Sequence, residues 1–296
     1  MAKLRKRALT ALKILISAAL LFFVFRQIPL QKVWETLKTS NLLWVFTALI
    51  LFVVSKVLAA FRLNRYFHEI EVPLSTRDNL KLYLLGMFYN LFLPGGIGGD
   101  AYKGVVLHRK FGASGKKLAG VLILDRVSGL IALLTYALIL LFVLNPESIS
   151  AFRWVVPIAI GLGFLIFYYG HRWLFAYLQK AFWAAFAFSA LVQLAQLGAA
   201  FMLLMALGVE SQFLPYLLLF LASSVAAILP ISIGGVGLRE FVFLYGSKWW
   251  GLEEPVALSI SLLFLGITLV VSFFGVVFQI RGLGLEGPSR SGESSA

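Results

Sequence analysis

The chain has no cysteine, three histidines and few charges of either sign: 13% of its 296 residues are charged. Without cysteine there are no disulfides, thiolate nucleophiles or Cys-based metal sites; the compartment stays open. His68, His108 and His171 are isolated, each beside basic residues at the edge of an apolar run, and read as surface residues. No His/Asp/Glu cluster has metal-ligand spacing, so neither a metal nor another cofactor is expected. The stretch Gly112-Ala-Ser-Gly-Lys-Lys117 lacks the full Walker spacing and its following Ser/Thr, which leaves nucleotide binding unsupported. Acidic residues are scarce too, 13 against 26 Lys and Arg, for a net charge of +13.

What the chain has instead is grease. It is 60% hydrophobic, with 27 Phe and seven Trp, and its mean hydropathy is +0.92. Such a composition excludes a soluble globular domain. Several apolar runs reach the roughly 20 residues needed to cross hydrocarbon. A net charge of this size would suit nucleic acid, but the basic residues gather at the ends of apolar runs, as membrane-topology signals do. No nucleic-acid partner is expected. The Phe and Trp residues read as lipid-facing bulk and interfacial anchors.

In chain order, Lys3, Arg5, Lys6 and Arg7 precede an apolar run over 8–25 with no small-x-small cleavage site after it. It reads as an uncleaved first span with a cytoplasmic N-terminus. Residues 30–40 are amphipathic and suit the outer interface. Further spans are predicted at about 42–61, 118–144, 153–170, 182–207 and 256–280, and a polar, Gly/Ser-rich tail at 284–296 reads as disordered. Two apolar arms, 80–93 and 213–229, are too short to cross. Each is broken by Pro and Gly and followed by a polar return, which predicts two re-entrant helical hairpins. With six spans and two non-crossing hairpins, about 19 of the 26 Lys/Arg residues fall on the cytoplasmic side together with both termini.

The two breaks resemble each other. Leu93-Pro-Gly-Gly-Ile-Gly-Gly-Asp100 is followed by Lys103, and Leu229-Pro-Ile-Ser-Ile-Gly-Gly-Val236 by Arg239; a shift of about 136 residues superposes them. Pro94 falls on Pro230, Gly98 and Gly99 on Gly234 and Gly235, and Lys103 on Arg239. The expectation is one all-α polytopic membrane domain over 1–296, built as an inverted-topology repeat of 8–144 and 152–281. Inverted repeats with broken helices at their interface are a transporter pattern.

Breaking a helix in lipid leaves backbone groups unpaired unless protein or a watery cavity satisfies them. A half-helix starting near Asp100 offers N–H groups and the positive end of its dipole, an anion site. Lys103 or Arg239 adds a full cation one turn on, an arrangement suited to phosphate. Lys103 also reads as an interfacial cation paired with Asp100 at i,i+3. Glu240 reads as a salt-bridge partner of Arg239 or a proton carrier. Asp125 and Arg126 sit some two turns into a span, roughly 12 Å deep by helix rise; they face a cavity or tie that span to the first hairpin. Lys56, mid-span, reads as a snorkelling cation or a cavity residue, and Gln193 and Gln196 as interhelical hydrogen-bonders.

The run Asn90-Leu-Phe-Leu-Pro-Gly-Gly-Ile-Gly-Gly-Asp100, then Lys103, Asp125-Arg126 and Ile233-Gly-Gly-Val-Gly-Leu-Arg-Glu240, resembles the lysylphosphatidylglycerol synthase transmembrane-region family, often labelled flippase-like. The resemblance covers about 10–280. Relatives include the membrane half of the multiple peptide resistance factor, associated with moving aminoacylated phosphatidylglycerol between leaflets. Others are linked to hopanoids or polyprenyl-linked sugars, so the resemblance does not fix the lipid. It supports Pro94, Gly98, Gly99, Asp100, Lys103, Asp125, Arg126, Gly234, Gly235, Arg239 and Glu240 as substrate-binding residues without assigning roles; Lys56 joins them on its depth alone. No soluble aminoacyl-transferase domain like that of the full-length synthetases is present, so lipid synthesis is not expected.

These readings converge on a lipid translocase without its own nucleotide hydrolysis, in the plasma membrane of a bacterium or archaeon. Its substrate would be an anionic or phosphate-headed lipid: a phospholipid, an aminoacyl-phosphatidylglycerol or a polyprenyl-phosphate-linked lipid. A homo-oligomer and a separate lipid-modifying enzyme remain open as partners. An integral-membrane transferase of lipid-linked sugar synthesis and a small-solute channel or carrier are the alternatives.

Overall fold

Pairs of helices too short to cross a bilayer separate helices long enough to do so. A computed structural model of the chain describes residues 30–92, 97–229 and 235–285. The expected first span at 8–25, Pro94, Gly234 and most of the tail lie outside these. Every regular element among the described residues is helical: α1 Leu30–Lys38, α2 Leu42–Glu69, α3 Thr76–Phe92, α4 Gly98–Phe111, α5 Gly115–Leu144, α6 Val155–Leu174, α7 Phe182–Ala206, α8 Phe213–Ile228, α9 Leu238–Trp250, α10 Glu254–Phe273 and α11 Gly275–Arg281. Short 3-10 turns over Glu147–Phe152 and Ala176–Ala181 precede α6 and α7.

Among the described residues, five helical segments are long and apolar enough to cross a membrane: Leu42–Glu69, Gly115–Leu144, Val155–Leu174, Ala176–Ala206 and Glu254–Arg281. The protein is membrane-embedded. Its outward face carries Ile158, Leu162, Ile166, Trp173, Val270 and Phe274, apolar side chains exposed in the isolated chain. By contrast α3 and α8, of 17 and 16 residues, extend only about 25 Å at 1.5 Å per residue.

Local sequence sets these limits. Asn41 caps α2, its side chain accepting from the Leu43 N–H at 3.0 Å. The helix runs past the expected end at residue 61 to Glu69 and stops where Glu71 turns to φ 61° ahead of Pro73. The left-handed Asn145 ends α5 immediately before Pro146, and α8 stops at Ile228 before Leu229-Pro230. The element order long helix, short arm, short helix, long helix occurs twice. Phe92 and Ile228, which end the two arms, are 136 positions apart.

The most extensive packing joins α2 to α7. Ala48 of α2 and Ala199 and Ala200 of α7 are fully buried with Phe52, Leu203 and Leu204. Small side chains let two membrane helices approach, where packing rather than water exclusion drives association. That core continues through Phe220 of α8 and Ala257, Ile260 and Phe264 of α10. A second cluster joins Leu63 and Phe67 of α2 to Leu107 of α4, Leu118 and Val121 of α5 and Phe182 of α7. Phe52, Phe67, Phe182 and Phe220 are therefore core residues rather than lipid-facing bulk. His171 is also buried, its Nδ1 3.1 Å from Gln179 Oε1, and is not the surface residue expected.

Candidate functional site

Each short arm doubles back on its return helix. Gly99 of α4 lies against Gly86 of α3, where an added Cβ would collide with the Gly86 carbonyl, and its N–H donates to Asn90 Oδ1 at 2.8 Å. In the second arm, Arg239 Nη2 of α9 donates to Ser224 Oγ of α8 at 3.3 Å. These two folded-back pairs and helices α2, α5 and α7 line a partly open, charged cavity of about 330 Å³.

Its charges come from four elements. Lys56 and Arg62 project from α2, Asp100 and Lys103 from α4, Asp125 and Arg126 from α5 and Arg239 from α9, with Gln193 and Gln196 of α7 on the remaining wall. Asp100 is the hub of one network: it accepts from Lys103 Nζ at 3.0 Å and from Arg126 Nε at 2.6 Å. Lys103 is 4% exposed, so it is a buried partner rather than a snorkelling cation, and its ammonium lies over the Tyr83 ring at 4.4 Å. Gly86 leaves the room that the Lys103 chain occupies. Arg62 forms the second network, donating from Nε to Asp125 Oδ1 at 2.8 Å and from Nη1 to Ser189 Oγ at 3.0 Å. Asp125 and Arg126 thus tie α5 to α2 and to the first folded-back pair.

Lys56 and Arg239 are different. Among the described residues neither makes an ion pair. The Lys56 ammonium sits 4.4 Å from the Phe52 ring centroid. The Arg239 guanidinium sits 4.9 Å from that of Phe264. Those two rings meet edge to face at 5.3 Å, so both cations rest on one aromatic cluster. Arg239 Nη1 is buried with no hydrogen-bond partner. Cation–π contact contributes about 0.5–2 kcal/mol, well short of the several kcal/mol that desolvating an ion costs.

Two expectations change. Glu240 does not line the cavity; it accepts from the Gly237 N–H at 2.7 Å and from Ser261 Oγ at 2.9 Å, closing the first turn of α9. It makes no ion pair with Arg239. Adjacent residues on a helix point about 100° apart, so proximity in sequence did not make them partners. Nor are the amides of Gly99, Asp100 and Ala101 free. The Gly99 N–H goes to Asn90, and those of Asp100 and Ala101 go to the Ile97 carbonyl. Gly98 and Gly99 shape the start of α4, and Gly235, at φ 80°, packs against Ala227 ahead of α9.

Sequence reasoning missed Arg62, Asn90 and Ser224. Arg62 resembled a span-ending cation because the apolar run stops near residue 61, whereas α2 continues two further turns. Asn90 stood inside the first break motif, and Ser223-Ser224 interrupts an otherwise apolar arm; both were visible signals. Gln193 bonds the Gly129 carbonyl through Nε2 at 3.3 Å, as an interhelical glutamine should, but its Oε1 is buried without a partner.

The fold and cavity define a helical membrane protein with a charged chamber between two broken-helix pairs. Residues 10–275 match the family model of the lysylphosphatidylglycerol synthase TM region, and the chain belongs to that family. No curated protein matches the sequence. Membership agrees with a lipid-related function in the membrane.

Proposed function

We propose that the protein is a lipid translocase that passes an anionic, phosphate-bearing headgroup through the cavity while the hydrocarbon tails stay in the bilayer. The observation that carries this reading is the pair Lys56 and Arg239, charged side chains in the chamber that make no ion pair among the described residues. Ionisable groups at such depth mark substrate paths when they face a cavity. The short α3–α4 and α8–α9 pairs are then re-entrant hairpins entering from opposite faces, with Asn90, Asp100 and Ile228 lining the chamber, in the manner of inverted-repeat transporters. Apolar grooves along the outside support the path for the tails: Leu49, Val53, Leu84, Val270 and Phe274 line one of them.

The carboxylates favour transport over group transfer. Asp100 and Asp125 are each held by cations, whereas general acid–base chemistry needs a carboxyl free to exchange a proton with substrate. The test is reconstitution of the full chain in liposomes containing headgroup-labelled anionic lipids, with a membrane-impermeant quencher added outside. Transfer between leaflets should exceed that of empty liposomes and slow at least about tenfold in Arg239→Gln, one lost charge-assisted contact being worth about 1.5–3 kcal/mol. Transfer no faster than in empty liposomes for every anionic lipid would overturn the reading.

A further inference from the structure

Charge balance in the chamber narrows the headgroup. Five cations line it, Lys56, Arg62, Lys103, Arg126 and Arg239, against two carboxylates, Asp100 and Asp125. Glu240, buried beside Arg239 but turned to the Gly237 N–H and Ser261, supplies one further negative charge nearby. Two positive charges remain unbalanced once Glu240 is set against Arg239: Lys56, and one of the pair Lys103 and Arg126 that share Asp100. Among the described residues Lys56 and Arg239 are the lining cations without an ion pair, set on the adjoining Phe52 and Phe264 rings. In a membrane interior, uncompensated charge is strongly disfavoured.

We propose that the chamber selects a lipid phosphate carrying two negative charges, a phosphomonoester or diphosphate, over a phosphodiester with one charge and over a headgroup bearing an amine. This rests on the chamber being the headgroup site. A phosphomonoester carries about −1.5 to −2 at pH 7, with a second pKa near 6, and presents three acceptor oxygens. It matches the excess of two charges and gives the buried Arg239 Nη1 an acceptor. A phosphodiester leaves one positive charge of the chamber unmatched. An aminoacyl ester adds a positive charge to a chamber that already has an excess. The volume of about 330 Å³ lies at the small end of ligand pockets, roughly 300–1,000 Å³, and suits a phosphate head better than a large glycan.

The experiment measures binding to the purified full chain in detergent. The probes are short-chain phosphatidate, phosphatidylglycerol, lysyl-phosphatidylglycerol, inorganic phosphate and pyrophosphate. Phosphatidate should bind at least about tenfold tighter than phosphatidylglycerol at pH 7.5, and lysyl-phosphatidylglycerol should bind more weakly than either, the extra unit charge being unscreened in a buried site. Among the described residues no histidine lines the chamber, so the ratio of the first two should collapse towards one by pH 5 as the monoester loses its second charge. Lys56→Gln and Arg239→Gln, each checked for native elution on size exclusion, should cut the ratio several-fold. Equal wild-type affinities for phosphatidate and phosphatidylglycerol, or a ratio unchanged in both folded variants, overturn the charge selection. Inorganic phosphate or pyrophosphate binding as tightly as phosphatidate overturns the lipid assignment. Phosphatidylglycerol translocated as fast as phosphatidate sinks this inference and leaves the translocase reading standing; absence of binding and transfer for all lipids sinks both.

Discussion

Replacing Arg62 by Met should be the most damaging single change to the scaffold around the chamber. Arg62 and Asp125 meet at 2.8 Å, with side chains 6% and 14% exposed. Breaking a pair this buried leaves a carboxylate without its cation, which costs about 3–5 kcal/mol, against about 0–1 kcal/mol for an exposed pair. Ser189 also loses the guanidinium as a donor. At about 2–4 °C per kcal/mol for a chain of a few hundred residues, the melting temperature should fall on the order of 10 °C. Asp125→Asn should also destabilise, but the double variant Arg62→Met/Asp125→Asn, with neither charge left, should recover much of the loss. The assay is thermal unfolding of the four proteins in one detergent, read as a double-mutant cycle with a coupling of about 2–3 kcal/mol. Additive losses, or a shift of under about 2 °C for Arg62→Met, would refute the claim that this buried pair locks α2 to α5.

Gly99→Ala should cost about 1–3 kcal/mol by forcing α4 away from the Gly86 carbonyl. Gly163→Ala, in open space on α6, should be neutral or gain up to about 1 kcal/mol, and thermal unfolding compares the two. Asn90→Ala should lower stability by about 1–2 kcal/mol, because the Gly99 N–H loses its acceptor at the start of α4. Hydrogen exchange at the start of α4 should quicken in that variant while α5 is unchanged. Glu240→Gln should destabilise the start of α9 by about 1–2 kcal/mol, since the Gly237 N–H and Ser261 hydroxyl lose a charged acceptor; a melting curve identical to wild type would contradict that role.

Much of this architecture is legible in sequence because lipid simplifies the code. A run of about 20 apolar residues crosses and one of about 15 does not, so α5, α6, α7 and α10 fall close to their expected ranges. Pro and Gly mark both breaks. The deep charges Lys56, Asp100, Lys103, Asp125, Arg126 and Arg239 were individually conspicuous, and all line one chamber. Their pairing was not legible. Arg62 with Asp125 is a contact between helices 63 positions apart, which no local spacing encodes. The reading of free amides at Asp100 failed because Asn90 and the Ile97 carbonyl satisfy that turn from within. Glu240 was misread for a similar reason: its partners, Gly237 and Ser261, are decided by how α9 begins and where α10 packs.

The most direct measurement is an experimental structure of the full chain in nanodiscs containing anionic phospholipid and phosphatidate. The account predicts a phosphate within about 4 Å of both the Lys56 ammonium and the Arg239 guanidinium, ion-pairing distance, with its tails leaving between helices into the bilayer. An empty or water-filled chamber with Lys56 and Arg239 turned onto protein carboxylates, and lipid phosphates confined to the membrane surface, would contradict it.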